Sequence, residues 1–329
     1  MNFSIIDMHC DLLSYLEIAT QRTPYDPVVH CSIPQLKQGG VKLQVLAVFT
    51  RTGLDSVQSG QKQIEIYKNL PNNYPIDFCF YKPEENPSHS LPVSILMSIE
   101  NASGLWSEDE PFTEGLKRFK SLIQSNAKPL YLGLTWHEEN RFGGGNAAKI
   151  GLKEEGKHLL DELDNQNIAI DFSHTSDALA DGILDYLEYK NLSIPILASH
   201  SNARSVRNHP RNLPDTLAKE IFKREGIIGL NFYKGFVGTR IDDFVRHIAH
   251  WLELGGEKNI CLGADFFYEA DVSKATLKKV ELAYFPELQN AACYPYLLSL
   301  FKQELGFSDV QLNALAWQNA KKFISKVLS

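Results

Sequence analysis

Eight short apolar runs, separated by stretches with helical spacing, are the feature that most constrains how this chain can fold. Most of the runs are apolar throughout, as expected for parallel strands that other elements cover on both faces. Strands that alternate with helices in this way predict a parallel α/β fold. The runs are Ser4–Met8, Lys42–Phe49, Ser94–Ile99, Leu130–Trp136, Ile168–Ser173, Ile194–Ser199, Gly226–Phe232 and Ile260–Ala264.

Eight strand–helix units predict a (β/α)8 TIM barrel instead of an open doubly wound sheet. The length of 329 residues fits one such unit, and no repeat or linker divides it, so we expect a single domain over residues 1–329. Pro71–Pro92, which contains several prolines and little periodicity, is predicted to be a long loop or an excursion from the barrel. Helices are predicted at Thr113–Gln124, Glu154–Gln166, Asp215–Glu225, with Asp215 as its N-cap, and Phe244–Leu254.

The charge balance argues against several classes of partner. The formal net charge is −7 and no basic cluster is present, so we expect neither nucleic acid nor an anionic membrane surface to bind. The first residues lack the pattern of a signal peptide, and no stretch is long and apolar enough to span a membrane. The five cysteines include no CxxC pair. We therefore expect a cytoplasmic protein without disulfides.

Metal-capable side chains occur where apolar runs end. His9 and Asp11 follow the first run, and Glu100, His174 and His200 come directly after the third, fifth and sixth runs. In TIM-barrel enzymes the carboxyl ends of the strands converge on the active site. Residues two apart on an extended segment face the same side, so the first pair could bind one ion. Imidazole and carboxylate ligands together suit zinc and related divalent metals.

Each of these residues also has an ordinary structural explanation. An HxD pair is common by chance, a histidine at a strand end often bonds a loop, and Glu100 could cap a helix. Their concurrence at one end favours a metal centre, because burying such groups without partners costs about 2–7 kcal/mol for a neutral group and more for a charge. Five ligands exceed the needs of one catalytic zinc. With Glu100 bridging, they would serve two ions.

Asp265 and Arg211 are further candidates. Asp265 follows the eighth run and could be a ligand, a structural acceptor or a proton carrier. Its place beside an already complete ligand set favours proton transfer. Arg211 lies in the loop sequence RNHPRNLPD, where its guanidinium could bind a substrate carboxylate through two hydrogen bonds. On spacing alone, an arginine bonded to a loop carbonyl is the commoner case.

Six motifs in order along the chain carry a resemblance: IIDMHCD, SIEN, LGLTWHEEN, GLKEEGKHLLDELDNQNIAIDFSHTSD, ASHSNARSVRNHPRNLPD and CLGADF. Together they resemble the renal (membrane) dipeptidase family of zinc metallopeptidases over essentially the whole chain. DFSHTSD and SHSNA…RNLPD are the most specific of them. The resemblance implies a TIM barrel of the metal-dependent hydrolase type, two Zn²⁺ ions, a small dipeptide substrate and a homodimer.

The resemblance also implies roles for the candidate residues. His9 and Asp11 would bind one zinc ion, His174 and His200 the other, and Glu100 would bridge them. A hydroxide held between the two ions would attack the peptide carbonyl.

On the same basis, Arg211 would bind the carboxylate of the dipeptide, which replaces the interpretation from spacing alone. Asp265 would be the acid/base that moves a proton from the water to the leaving amine.

Two departures from the family pattern bear on substrate preference and on catalysis. The family usually continues Asp-Phe-Asp-Gly after its last strand, whereas Phe266, Phe267 and Tyr268 follow Asp265 here. Many members carry Leu-Thr-His on the fourth strand, and His137 is shifted by one position relative to that histidine. His137 therefore stays a candidate donor to the carbonyl oxygen.

Two other functions compete with a dipeptidase. A related binuclear amidohydrolase would act on a non-peptide amide or a lactone with the same metal centre. An inactive metal-binding scaffold is suggested by the altered residues after Asp265. Retention of all five ligands together with Asp265 favours an active hydrolase.

Overall fold

The computed structural model describes residues 3–83, 92–125, 127–272 and 282–329. These residues form nine strands, all paired in parallel. Eight strands close a barrel in the order β1-β2-β4-β5-β6-β7-β8-β9, because β2 pairs with β4 and β9 pairs with β1. The predicted (β/α)8 TIM barrel is confirmed. The strands are β1 Ile5–Cys10, β2 Val41–Val48, β3 Phe78–Phe80, β4 Val93–Ile99, β5 Pro129–Gly133, β6 Ala169–Asp171, β7 Ile196–Ala198, β8 Ile227–Leu230 and β9 Ile260–Leu262.

Helices surround the barrel, and the four predicted helices are present with ends shifted by a few residues. Asp215 was predicted as an N-cap but is the first residue of its helix, and Pro214 is the N-cap residue. Among the described helices, none combines the length and the apolar character needed to cross a bilayer. The helices are α1 Leu12–Ile18, α2 Ile33–Gln38, α3 Ser56–Asn73, α4 Phe112–Ile123, α5 Glu154–Leu163, α6 Asp177–Lys190, α7 Asp215–Lys223, α8 Lys234–Val237, α9 Ile241–Glu253, α10 Tyr294–Glu304, α11 Asp309–Asn313 and α12 Asn319–Leu328.

The described part of Pro71–Pro92 is not a continuous loop but an excursion with secondary structure of its own. Its first residues belong to the end of α3, and Phe78–Phe80 form β3; residues 84–91 lie outside the described part of the chain. β3 pairs with the beginning of β4, whereas β5 pairs with its end, so β3 is an extra strand at the amino end of the barrel. Three residues are too few to show a strand pattern in the sequence.

Two hydrophobic clusters fill the molecule on either side of the barrel wall. The outer cluster packs strands against the surrounding helices. The inner cluster contains interior strand residues such as Met8, Val45 and Leu130, packed against Phe323 and Val327 of α12. The C-terminal helix therefore covers the amino end of the barrel, and the carboxyl end is left for polar residues.

An irregularity in β1 sets the direction of its last residues. Ile6 and Met8 belong to the inner cluster, so strict alternation would turn His9 toward the helices and Cys10 inward. The pairing of β1 with β2 is irregular between Asp7 and Cys10, and Cys10 belongs to the outer cluster. This irregularity lets His9 face the barrel interior directly after Met8.

Candidate metal centre

The five predicted ligands meet at the carboxyl end of the barrel, with Glu100 in the middle. One oxygen of Glu100, Oε1, lies 3.0 Å from Nε2 of His174 and 4.0 Å from Nε2 of His200. The other, Oε2, lies 3.4 Å from Nε2 of His9. Asp11 completes the group on the His9 side, where one possible ligand atom of each residue lies within 4.8 Å of the others. The residues thus form two groups that share Glu100.

Several polar atoms in these groups have no partner within the described structure. Nε2 of His9, Oδ1 of Asp11 and Oε2 of Glu100 are buried and accept or donate no hydrogen bond. Buried polar atoms without partners are costly, so their convergence calls for a ligand. Oxygen and nitrogen atoms in this combination fit a divalent cation such as zinc.

The Nε2 atoms of His174 and His200 lie 3.1 Å apart. Arg211 donates from Nη2 to Nε2 of His174, at 3.2 Å, so that nitrogen presents a lone pair. Two imidazole lone pairs this close repel each other unless a positive charge lies beside both. Their position next to Oε1 of Glu100 again fits a cation.

Tyr131 determines which nitrogen of His9 is free. The Tyr131 hydroxyl donates to the carbonyl oxygen of Met8, at 2.7 Å, and lies 2.9 Å from Nδ1 of His9. Since its proton goes to Met8, the hydroxyl oxygen accepts the Nδ1–H of His9. The lone pair of His9 is then on Nε2, which faces Glu100.

Asp171, in the barrel interior, determines through Ser199 which nitrogen of His200 is free. The Ser199 hydroxyl donates to Oδ2 of Asp171, at 2.5 Å, and accepts Nδ1–H of His200, at 2.6 Å. Oδ1 of Asp171 accepts the hydroxyl and the backbone N–H of Ser173 and the backbone N–H of Ser199. His200 is thereby fixed in the tautomer that leaves Nε2 unprotonated. Such outer hydrogen bonds commonly orient metal-binding histidines.

Three residues of this site were not predicted from the sequence: Tyr131, Asp171 and Ser199. A signal was present, because Asp171 is a carboxylate inside an apolar strand and Tyr131 places a hydroxyl inside another. What they contact depends on neighbouring strands and could not be read from spacing.

Burial shifts the pKa values of four candidate ligands toward their neutral forms. Burial raises the pKa of Glu100 to about 8. Burial, followed by the nearby charge of Glu100, raises the pKa of Asp11 well above its ordinary range. Burial also lowers the pKa of His174 and of His200 well below the usual value, so both imidazoles are neutral. A bound dication would favour the ionised carboxylates and needs neutral imidazoles.

Asp265 lies at the edge of the same group. Its Oδ1 is 3.9 Å from Nε2 of His9, and its Oδ2 accepts a hydrogen bond of 2.7 Å from the side-chain amide of Asn231. Its φ of 62° is in the left-handed region, which non-glycine residues seldom adopt outside turns and functional sites. Burial raises the pKa of Asp265 to about 7. A carboxyl group held in this way is suited to exchange a proton near neutral pH.

Arg211 is buried in the site, with 2% of its surface exposed, and is not a surface residue. Its guanidinium donates to the Ser201 hydroxyl at 2.9 Å and to the carbonyl oxygen of His200 at 2.9 Å. Its Nε has no partner, and no carboxylate of the described residues lies within ion-pair distance. Burial lowers the pKa of Arg211 to about 10, so it remains a cation at neutral pH. A buried cation without a carboxylate partner fits the anionic group of a ligand.

His137 also reaches the site. Its ring centre is 5.3 Å from that of His174, and its Nδ1 lies 3.0 Å from Oδ1 of Asn146. Burial lowers the pKa of His137 to about 4, so the ring is neutral. Because an amide oxygen only accepts, Nδ1 carries the proton and Nε2 is an acceptor in this arrangement. Donation from Nε2 would require the Asn146 amide to be turned over.

A pocket of about 910 Å³ lies over part of this centre, and its lining includes Asp11 and His137 but not Arg211. Glu100, His174 and Asp265 line its floor, and Trp136 and Phe236 are among the aromatic residues in its wall. The volume is in the range of pockets that hold small molecules.

A TIM barrel that gathers histidine and carboxylate side chains at its carboxyl end defines a metal-dependent hydrolase. The family model of the membrane dipeptidases (peptidase family M19) matches residues 1–328. The chain therefore belongs to that family, and family membership supports dipeptidase activity and metal ions in the site.

Individual relatives are more distant. An uncharacterized dipeptidase of Schizosaccharomyces pombe is 26% identical over 303 residues, which cover 80% of this chain and 69% of the relative. The structure of the metallopeptidase dipeptidase AC superposes with a TM-score of 0.82 at 20% identity and covers 99% of both chains. A metallopeptidase from Rhodobacter sphaeroides, solved with a phosphinate mimic of L-Ala-D-Ala, has a TM-score of 0.81 at 20% identity, with 99% and 100% covered. These structures confirm the fold.

Proposed function

We propose that this protein is a zinc-dependent dipeptidase that hydrolyses the peptide bond of free dipeptides with two Zn²⁺ ions per chain. The observation that carries the proposal is the pair of ligand groups that share Glu100. An acid/base candidate and a buried cation stand beside these groups, as hydrolysis of a dipeptide requires.

His9, Asp11 and Glu100 would hold one ion, and Glu100, His174 and His200 the other. When bound, the ions supply a water of lowered pKa and polarise the peptide carbonyl.

The remaining steps belong to side chains of this protein. Asp265 accepts a proton from the attacking water and delivers it to the leaving amine. Asn231 holds Oδ2 of Asp265, which leaves Oδ1 for the proton on the side of His9.

Arg211 binds the C-terminal carboxylate of the substrate through its guanidinium, whose buried Nε–H has no partner in the described structure, and fixes the distance between that carboxylate and the reacting bond. This contact favours dipeptides, because longer peptides have no carboxylate at that position. His137, which lines the pocket, contacts the scissile peptide group through Nε2.

The test is a steady-state screen of zinc-reconstituted protein on L-L and L-D dipeptides beside simple amides and lactones. An L-D series is included because one structural relative was solved with a mimic of L-Ala-D-Ala. We expect turnover of dipeptides, and we expect Asp265→Asn to lower kcat by roughly 10²- to 10⁴-fold with metal content retained.

Asp177→Asn is the matched control, since Asp177 is an exposed carboxylate that pairs with Arg204 on the surface. Turnover of lactones or amides without dipeptides would favour the related amidohydrolase. No turnover of any compound by protein that holds its metal would favour the inactive scaffold.

A further inference from the structure

Two exposed arginines differ from most of the others in this protein because they have no carboxylate partner among the described residues. The chain has ten arginines, and seven of them form an ion pair with a carboxylate. Arg211 is the buried cation of the metal centre. The remaining two, Arg51 and Arg207, have no carboxylate within 4.0 Å among the described residues, and both line the pocket over that centre.

Arg51 is held by an aromatic ring instead of a carboxylate. Its guanidinium carbon lies 5.5 Å from the centre of the Trp136 ring, a cation–π distance. Phe49 packs against the same ring edge-on, with 5.0 Å between ring centres. Because an aromatic ring offers no conventional hydrogen-bond acceptor, this contact positions Arg51 while its N–H groups can still bind an anion.

A short path of contacts connects Arg51 with the metal ligands. The Trp136 ring lies 3.9 Å from the ring of His137, and the His137 ring lies 5.3 Å from the ring of His174. Two successive side chains, Trp136 and His137, thus connect Arg51 with His174 on the floor of the pocket. A dipeptide bound at the floor would extend its side chains into this space.

No carboxylate on the rim forms an ion pair with the two arginines among the described residues. Glu17 is paired with Lys62, and Asp271 is paired with Arg22. Asp55 lies four residues after Arg51 on the same rim, yet no ion pair joins them in the described structure.

The exposed Glu138, two residues after Trp136, likewise forms no ion pair with either arginine in the described part of the chain. Arg207 adds a positive charge to the lining of the pocket, beside His209, whose Nδ1 accepts the backbone N–H of Arg211.

We propose that Arg51, supported by Arg207, forms a subsite for a second carboxylate, so that the preferred substrates are dipeptides with an acidic side chain. This inference rests on the proposed dipeptidase function and names its substrate class. Arg211 would bind the terminal carboxylate, and Arg51 would bind the carboxylate of an aspartate or glutamate side chain. Both arginines are exposed, so solvent weakens their attraction for a carboxylate. A charge-assisted hydrogen bond still discriminates a carboxylate from an amide of the same shape.

The experiment compares kcat/KM for Ala-Asp with Ala-Asn, and for Asp-Ala with Asn-Ala, on the zinc-loaded enzyme. Each pair differs only in the charge of one side chain, and the two pairs show which residue of the dipeptide meets Arg51. We expect the acidic member of one pair to be favoured roughly three- to tenfold. Arg51→Met should bring that ratio close to one, and Arg207→Met should lower it by a smaller factor. Raising the ionic strength should also lower it in the unmodified enzyme.

Arg240→Met is the matched control, because Arg240 is an exposed arginine outside the pocket lining that pairs with Asp242. It should leave both ratios unchanged. Equal kcat/KM values for acidic and amide dipeptides, or a ratio that survives Arg51→Met, would overturn the subsite while the dipeptidase function stands. Absence of turnover of all four dipeptides by zinc-loaded protein would instead overturn the function itself.

Discussion

Two residues distant in the sequence fix the tautomers of two candidate ligands. Tyr131 contacts His9, and Asp171 acts on His200 through the Ser199 hydroxyl. Each fixes Nδ1 of its histidine as a donor and leaves Nε2 for a metal ion. Both act from the barrel interior directly beneath the ligands. At the scale of single residues, the site therefore depends on hydrogen bonds that preorganise ligands before any ion binds.

Tyr131→Phe tests this dependence. The change removes the acceptor of the Nδ1–H of His9 and leaves that buried group without a partner. We expect the affinity for one of the two zinc ions to fall about 10- to 100-fold, because loss of an outer partner commonly has this effect. Zinc competition with a chromophoric chelator measures it.

Tyr67→Phe is a suitable control for that experiment. Tyr67 is also a buried tyrosine, and its hydroxyl lies 3.4 Å from the carbonyl oxygen of Ile95, with no contact to a candidate ligand. Equal zinc affinities in the two variants would contradict the proposed role of Tyr131.

At the scale of elements, the strand ends position the ligands, and this part could be predicted. Glu100, His174 and His200 follow apolar runs, and parallel strands bring such ends together. The sequence predicts that His9 and Asp11 face the same side because they are two positions apart on an extended segment. That reason is incomplete. β1 departs from alternation near its end, and Asp11 lies beyond the strand as the N-cap residue of α1.

His247 on α9 joins three elements at the rim of the barrel. Its Nδ1 accepts the backbone N–H of Ala203, at 3.1 Å, and its Nε2–H donates to the carbonyl oxygen of Val237, at 2.9 Å. Both contacts need the neutral ring, and burial lowers the pKa of His247 to about 4. Protonation would break the contact with Ala203.

The lowered pKa predicts a pH dependence of stability. Below pH 6.5 the unfolded chain binds a proton at this position that the folded chain does not, so stability falls as the pH drops toward 4. The loss from this group is about 3 kcal/mol between pH 7 and pH 4. His247→Gln keeps an acceptor and a donor but cannot titrate, and should remove this part of the slope in urea unfolding at several pH values.

His158→Gln, on the exposed face of α5, is the comparison for that series. It should keep the slope of the unmodified protein. If His247→Gln and His158→Gln lost stability equally between pH 7 and pH 4, the buried histidine would not be its source.

At the scale of the whole molecule, the amino end of the barrel contributes to stability and the carboxyl end holds the candidate site. α12 packs into the amino end and stabilises the fold through apolar contacts, whereas the carboxyl end keeps polar groups that are costly without a ligand. The barrel and most of the candidate site could be predicted, since both follow from local patterns in the sequence.

The parts that could not be predicted depend on contacts between distant segments. Tyr131 meets His9 across 122 positions of the chain, and β3 forms only because the start of β4 offers an open edge. The tautomer of His137 depends on Asn146, which no motif connects with it.

Zinc titration of metal-free protein, followed by dipeptide turnover at each step, tests the central proposal most directly. Two ligand groups that share Glu100 predict that activity is absent without metal and reaches its plateau at two zinc ions per chain. A plateau at one ion would contradict the binuclear centre, and full turnover in the presence of excess chelator would contradict any role of a metal.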